Sequence, residues 1–223
     1  MNKFVTVAAL FTAFAVQGTA CAEVGVTASV STIGLGLHAS IPLKAAWNGR
    51  FGVNALSHST VENTDDVDYD FDLKLATVDA LVDYFPMDGG FRVTGGVVYN
   101  GNKFQASGRP RGNGTYTFNG NTYPAASVGS LDADVTFNKL APYFGIGWGN
   151  AIAANKGWGF SADVGAIFQG TPKSSLSNSG CRASTAVCAQ IATDVRAENQ
   201  SLQAEMDDFK LLPVVRVGVS YKF

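Results

Sequence analysis

No stretch of this 223-residue chain is apolar for long enough to cross a bilayer as a helix: residues 4–16 are about thirteen long where a span needs roughly twenty. Charge is scarce as well, at 15% of residues against 46% hydrophobic, a balance that does not suit a soluble protein. A basic surplus is absent, with 16 Lys and Arg against 18 Asp and Glu and a formal charge of -2, so a nucleic-acid-binding surface is excluded. Cysteine is limited to three residues and histidine to two, His38 and His58, which leaves no metal-ligand cluster and no cofactor motif.

What the sequence does have is alternation. Phe209, Leu211, Val215, Val217, Val219, Tyr221 and Phe223 fall on one face of a period-two pattern, and Lys210, Arg216, Ser220 and Lys222 on the other. Such a ribbon meets two different media. A transmembrane β-barrel spreads its lipid-facing residues in this way through the whole sequence and needs no helix-length apolar run. The pattern, closed by a final Phe, resembles the last strand of bacterial outer-membrane β-barrels.

The N-terminus reads as a secretory signal. Lys3 supplies the positive region, residues 4–16 the apolar core, and Ala20-Cys21-Ala22 a small-residue cleavage site before Glu23. A lipoprotein signal is disfavoured because Gly18 stands where a lipobox carries Leu. The expected domains are therefore a removed peptide, 1–22, and a barrel domain, 23–223. Loss of Lys3 takes the formal charge from -2 to about -3. Loss of Cys21 leaves Cys181 and Cys188, an even pair in an oxidising compartment and so an expected disulfide.

Short, Asn-, Gly- or Pro-containing turns at 44–50, 86–90 and 150–157 alternate with long polar connections at 59–67, 105–130 and 171–208. Outer-membrane barrels keep short turns in the periplasm and long loops outside. Strands are expected near 24–30, 33–43, 51–60, 68–85, 91–104, 131–148, 158–170 and 209–223. These eight give an antiparallel up-and-down ring, whereas fusing the first two would leave seven, which cannot close. The lipid face takes Ile33, Leu35, Leu37, Ala39 and Ile41, then Phe51, Val53 and Ala55, then Phe91, Val93, Val97 and Tyr99, then Trp158, Phe160, Ala162, Val164, Ala166 and Phe168. The interior takes His38, Ser40, Asn54, His58, Arg92, Thr94, Ser161, Asp163 and Gln169. Tyr84, Phe85, Phe91, Trp148, Trp158 and Tyr221 suit the membrane interfaces.

Two strands break phase, one after Thr77 and one around Lys139 to Pro142. Each break calls for a β-bulge, or for an outer half that stands clear of lipid. In the loops, Asn119-Gly120 between alternating segments signals a type I′ hairpin. Residues 186–208 carry Val187, Ile191, Val195, Leu202 and Met206 at roughly helical spacing, with Asp194, Glu198, Glu205 and Asp207 on the other side, as in an amphipathic helix, unbroken or in two pieces.

With these pieces in place, the chain is similar to the small eight-stranded outer-membrane barrels grouped with OmpA and OmpW. The segments that carry this likeness are Gly90-Phe91-Arg92-Val93-Thr94-Gly95-Gly96, Asn119-Gly120-Asn121-Thr122-Tyr123, residues 141–150 and Val217-Gly218-Val219-Ser220-Tyr221-Lys222-Phe223. The resemblance implies an all-β, eight-stranded, monomeric transmembrane barrel in the Gram-negative outer membrane, surrounded by lipid and lipopolysaccharide. It supplies no catalytic motif.

An eight-stranded lumen is just wide enough for side chains to fill, so inward charges must be paired or wet. Asp79, Asp83 and Asp163 are expected to face Arg92, Arg216 and Lys222, as a salt-bridge plug rather than a gated ion path. His38 and His58 on adjacent strands are two interior histidines without a third ligand. Ser57, His58, Ser59 and the Asp65-Asp66 pair are the places to look for hydrolase or acyltransferase chemistry, but on a strand Ser57 and Ser59 point away from His58. Val187, Ile191, Val195, Leu202 and Met206 form either a lid admitting small hydrophobic ligands or a face buried for stability alone. The reading is a non-enzymatic envelope protein with a structural or surface role, with a narrow lidded channel as the alternative and a lipid-modifying enzyme third.

Overall fold

The computed structural model describes residues 23–63, 67–87, 89–110, 114–152 and 156–223. The leader assigned to residues 1–22 and the Asp65-Asp66 pair lie outside the described residues. The chain begins with β1 (Gly25–Ser31), β2 (Gly34–Lys44), β3 (Trp47–Asn63), β4 (Val67–Tyr84) and β5 (Phe91–Asn100). It continues through β6 (Lys103–Pro110), β7 (Thr115–Phe118), β8 (Asn121–Pro124), the one-turn helix α1 (Ala125–Val128), β9 (Ser130–Thr136) and β10 (Leu140–Trp148). Then come β11 (Gly157–Phe168), β12 (Lys173–Ser179), the helix α2 (Thr185–Glu205), a 3₁₀ turn (Met206–Phe209) and β13 (Leu211–Lys222).

Eight of these strands close a ring in the order β4, β3, β2, β1, β13, β11, β10, β5, with β5 pairing back onto β4. Every neighbouring pair is antiparallel, and the first and last strands meet, Gly25 opposite Lys222 and Ser31 opposite Arg216. Closure removes the free edges an open sheet would expose. The alternation sorts the side chains inside out. Leu35, Phe51, Val53, Phe144, Trp158, Phe160, Val164 and Val217 are exposed on the outer wall, while His38, Asn54, Asp79, Thr94, Asp163 and Arg216 are buried within.

Several expectations need correction. The turn expected over 44–50 is only Ala45-Ala46, with Ala46 at φ 61, and Arg50 belongs to β3 with its side chain in the lumen. Asn48-Gly49 looks like a turn but is paired strand, Asn48 opposite Pro42 and Gly49 opposite Ile41. Ile33, expected against lipid, and Phe85, expected at a membrane interface, are 1% and 8% exposed. Ile33 sits in the Thr32-Ile33 reversal, where Gly34 at φ 109 lets the chain fold its side chain over the barrel mouth. Phe85 lies just past the end of β4, held by its N–H on the Ala46 carbonyl at 2.9 Å, and its ring tucks under the barrel. Phe209 ends the 3₁₀ turn rather than opening β13.

The two expected phase breaks are not bulges of the barrel wall. β4 runs unbroken, and its partner changes from β5 to β6 without a slip: Thr77 faces Asn100, and three residues on Lys74 faces Lys103. The interruption at 137–139 between β9 and β10 also keeps register, with Thr136 opposite Lys103 and Leu140 opposite Tyr99. The same residue parity faces inward throughout, and the medium changes instead. Below Thr77 the inner face of β4 is the polar lumen; above it Tyr69 packs on an apolar core outside the ring. A parity change does occur elsewhere, between Gln169, buried in the lumen, and Ser174, around Gly170 at φ 66.

At the long-loop end β6, β9 and β12 carry β5, β10 and β11 beyond the ring, and with the outer halves of β3 and β4 they form a free-standing sheet in the order β3, β4, β6, β9, β12. The hairpin β7–β8 turns at Asn119 (φ 49) and Gly120 (φ 78), the positive φ pair a primed turn demands. Helix α2 is a single piece, opened by Ser184, whose side chain accepts from the Val187 amide. Tyr116, Phe118, Ala125, Val128, Ile191 and Val195 form the buried core of this cap, with Cys181 against its edge in a disulfide to Cys188.

The bridge closes a short loop at the start of α2. Replacing both cysteines by serine is expected to cost the cap about 2–3 kcal/mol on the chain-entropy argument. Hydrogen exchange should then accelerate in the first turns of α2 and in β7–β8, with β1, β2 and β13 unchanged; equal acceleration in the ring strands would refute a separately stabilised cap.

Candidate functional site

The lumen is filled in layers. At the short-turn end, Asn48 on β3 donates to Asn150 Oδ1 at 3.0 Å, and the same oxygen accepts the Ile152 amide at 2.9 Å, which folds the β10–β11 turn into the barrel base. Arg92 donates to the Gly149 carbonyl. Between this base and the charges above it remains a cavity of about 10 Å³, bounded by Asn48, Arg50, Asp83, Phe85 and Arg92. That is the room of a single water.

Above the base lies a charged layer with three aspartates and three arginines. Arg50 reaches Asp83 at 3.0 Å and Asp163 at 3.2 Å. Arg92 meets Asp163 at 2.7 Å and Asp83 at 3.7 Å. Arg216 meets Asp79 at 3.0 Å, and His38 donates from Nε2 to the same carboxylate at 3.0 Å. Asn54 donates to Asp79 at 2.9 Å and Thr94 to Asp83 at 2.6 Å. Two of these pairs span diameters: β3 and β11, carrying Arg50 and Asp163, are four strands apart around the ring, and so are β13 and β4, carrying Arg216 and Asp79.

On the long-loop side of the charges, Ile33, Val98, Ala141, Tyr143, Ile167 and Val214 pack together as an apolar layer inside the barrel, and Leu81, between Asp83 and Asp79 on β4 and opposite Arg50, joins it from the level of the charges. Asn100 and Gln169 bridge the mouth above them at 3.2 Å, and Gln169 donates on to the Phe209 carbonyl at 3.0 Å. Polar base, ionic belt, apolar layer and amide rim succeed one another along the axis.

The structure thus brings together Asp79, Asp83, Arg92, Asp163 and Arg216. Lys222 stands apart, paired at 3.0 Å with Glu23 near the barrel's end. Arg50, which like Arg92 contacts both Asp83 and Asp163, was hidden by the turn-like Asn48-Gly49, although its parity matches Asn54. His38 is in the lumen, whereas His58 is exposed on the outer half of β3, beyond the last residue paired with β2, so the two do not meet. Ser59 donates to Asp72 on the outer face of the sheet, away from His58.

In the cap, Ile191 and Val195 are buried against the β7–β8 hairpin, Leu202 and Met206 are half-buried, and Val187 is 40% exposed. This apolar face belongs to the cap's core and not to the apolar layer of the lumen. Asp194, placed by its helical position on the polar side, is instead 2% exposed. It accepts from Tyr123, from Asn121 at 3.0 Å, from Asn119 at 3.3 Å and from Gln190 at 3.3 Å. The Tyr123 hydroxyl first, and then the three amides, hold this carboxyl below the usual carboxylate range, and the same bond raises the Tyr123 phenol. Burial with Tyr69 nearby pushes Tyr116 up to about 12.

No protein-family model matches the chain, and no curated protein matches it. Among solved structures, Acinetobacter baumannii CarO is similar with a TM-score of 0.58 and 25% identity, over 90% of this chain and 98% of that one. Acinetobacter baumannii CarO2 matches with a TM-score of 0.56 and 23% identity, over 91% and 99% respectively. With the closed antiparallel ring, these place the chain among small outer-membrane β-barrel proteins, located in the outer membrane.

Two outcomes follow from the site. Asp163→Asn leaves Asp83 alone to balance Arg50 and Arg92 in the lumen and should lower barrel stability by about 3–5 kcal/mol, the usual cost of an uncompensated buried charge, read by urea unfolding in lipid vesicles; Asn48→Ala, which loses one neutral bond, should cost only about 1 kcal/mol. For Asp194 the folded pKa lies below the unfolded one, so its contribution is present at neutral pH and disappears as pH falls through the lowered value. Acidification should therefore loosen β7–β8 in wild type, seen as rising hydrogen exchange, and Asp194→Asn should be looser at neutral pH with a flatter acid response.

Proposed function

We propose that this protein is a non-conducting, non-enzymatic barrel whose task is to anchor and present its outer cap as a structural or interacting surface of the envelope. The observation that carries this reading is the pair of Arg–Asp contacts across two diameters of the ring, backed by the apolar layer above them. An ion crossing this belt would have to break charge-assisted bonds among groups whose polar partners are within the same layer, at a cost of several kcal/mol for each buried charge left unmatched. The cap supports a presenting role because its helix, hairpin and sheet share a hydrophobic core of their own and a disulfide, and so keep one shape without help from the barrel mouth.

The lidded-channel reading makes a different demand, that residues 186–208 gate a path. Reconstituted in planar bilayers, the protein should show no unitary conductance and its vesicles no uptake of small apolar solutes, and removing residues 186–208 should leave both at background. Conductance or uptake that appears on that deletion would replace the presenting role with the channel.

A further inference from the structure

Just outside the lipid-facing band, one row of side chains runs perpendicular to the strands across five of them, climbing about 3 Å per strand at the tilt of such barrels: Ser57 opposite Lys74, Lys74 opposite Lys103, Lys103 opposite Thr136, and Thr136 opposite Lys173. Residues directly opposite in a sheet share a face. Here it is the outer one, since register is kept between this row and Val78 on β4, Tyr99 on β5 and Leu140 on β10, four residues from Lys74, Lys103 and Thr136 respectively and 51%, 50% and 69% exposed. Four residues of strand are about 13 Å, or about 10 Å along the membrane normal at the tilt of such barrels. A lysine at that height reaches the headgroup layer with its ammonium while its stem lies on the wall.

Taken alone the row is unfavourable, because Lys74 and Lys103 set like charges side by side on adjacent strands. Lys103 has Asp134 at 3.3 Å, both partly exposed. Lys74 and Lys173 are exposed and make no ion pair among the described residues. The next row outward, Asp72, Gln105 and Asp134, is already acidic, so the positive charge is confined to one inclined row, which starts at the membrane edge with Lys74 and rises through the headgroup layer to Lys173. The row is also confined to one sector: Lys210, beside the start of β13, is engaged by Asp207 at 3.4 Å. Apolar wall below, cations at headgroup height and acceptors above is the profile of an anionic lipid with acyl chains, phosphates and a sugar head.

We infer that Lys74, Lys103 and Lys173 form a phosphate-binding row for lipopolysaccharide of the outer leaflet. The inference rests on the barrel's place in the outer membrane and is independent of the role proposed for the cap. Full-length barrel in nanodiscs of phosphatidylcholine is compared with the same discs containing lipopolysaccharide or its dephosphorylated form. Each basic residue near an anionic surface is worth about fivefold in binding, so the triple Lys→Gln variant should hold phosphorylated lipopolysaccharide at least tenfold more weakly than wild type. The triple Lys→Arg variant should retain it. Dephosphorylated lipid should bind wild type as weakly as the Gln variant, and free inorganic phosphate should not compete. In discs of phosphatidylcholine alone the Gln variant should unfold at the same temperature or higher, because the like-charge contact is gone. Equal retention by wild type and the Gln variant, or no preference of wild type for the phosphorylated lipid, overturns the assignment. The lipid comparison on wild type decides the matter even if the triple variant does not fold, and competition by free phosphate would reassign the row to a soluble anion.

Discussion

Ion pairing across a lumen filled by its own side chains is the constraint on which this architecture turns. Three carboxylates and three guanidiniums are withdrawn from solvent, each aspartate accepts from at least two side chains, and the formal charge of the belt cancels. The Coulomb gain at such sites only offsets desolvation when geometry is good and the remaining donors are used. Geometry is set by strand register. A slip of one residue in β3 would turn Arg50 to lipid and bring Phe51 into the belt. Closure in the observed register is therefore tied to the charges as closely as the charges are tied to the ring.

That dependence explains why the barrel holds a polar layer in one half and an apolar one in the other. Where diameters are bridged by arginine, the cross-section is full. Nearer the mouth no such bridge exists, and Ile33, Val98, Ala141, Ile167 and Val214 fill the space with carbon. The outer continuation then changes partners without changing parity: the inner face of β4 leads from Asp83 and Asp79 through Thr77 to Tyr69, and its medium from ion pairs to the aromatic core of the cap. One strand thus serves lumen, lipid and water with a single alternation.

Much of this was legible in the sequence because alternation is local. The eight ring strands, the inward set around Asp79, Arg92 and Asp163, the Asn119-Gly120 hairpin and the cysteine pairing all follow from neighbours along the chain. What escaped depended on pairing and contacts that override or lie beyond a local signal. Arg50 was masked because a turn signal, Asn48-Gly49, lost to the pairing of those residues with Pro42 and Ile41. The burial of Asp194 depends on Tyr123, Asn119 and Asn121, more than seventy residues away. The apparent phase breaks misled for a related reason: hydropathy reports the medium, and a change of medium along one face mimics a change of face.

The free-standing sheet raises the problem of its two edges, which the ring itself does not have. On the β12 side, Gln203 of α2 accepts from the Ser174 amide at 2.9 Å and donates to the Pro172 carbonyl at 2.8 Å, so the helix replaces the strand that is missing there. On the other side, residues 56–62 of β3 pair with β4 alone. That edge bears exposed His58 and Glu62 and a Ser59 committed to Asp72, side chains that keep it hydrated. The helix is thus needed by the sheet whether or not it ever moves. Its apolar residues meet hairpin and sheet, its Gln203 meets the strand edge, and its Asp194 meets the hairpin tip; displacing it as a gate would expose all three at once.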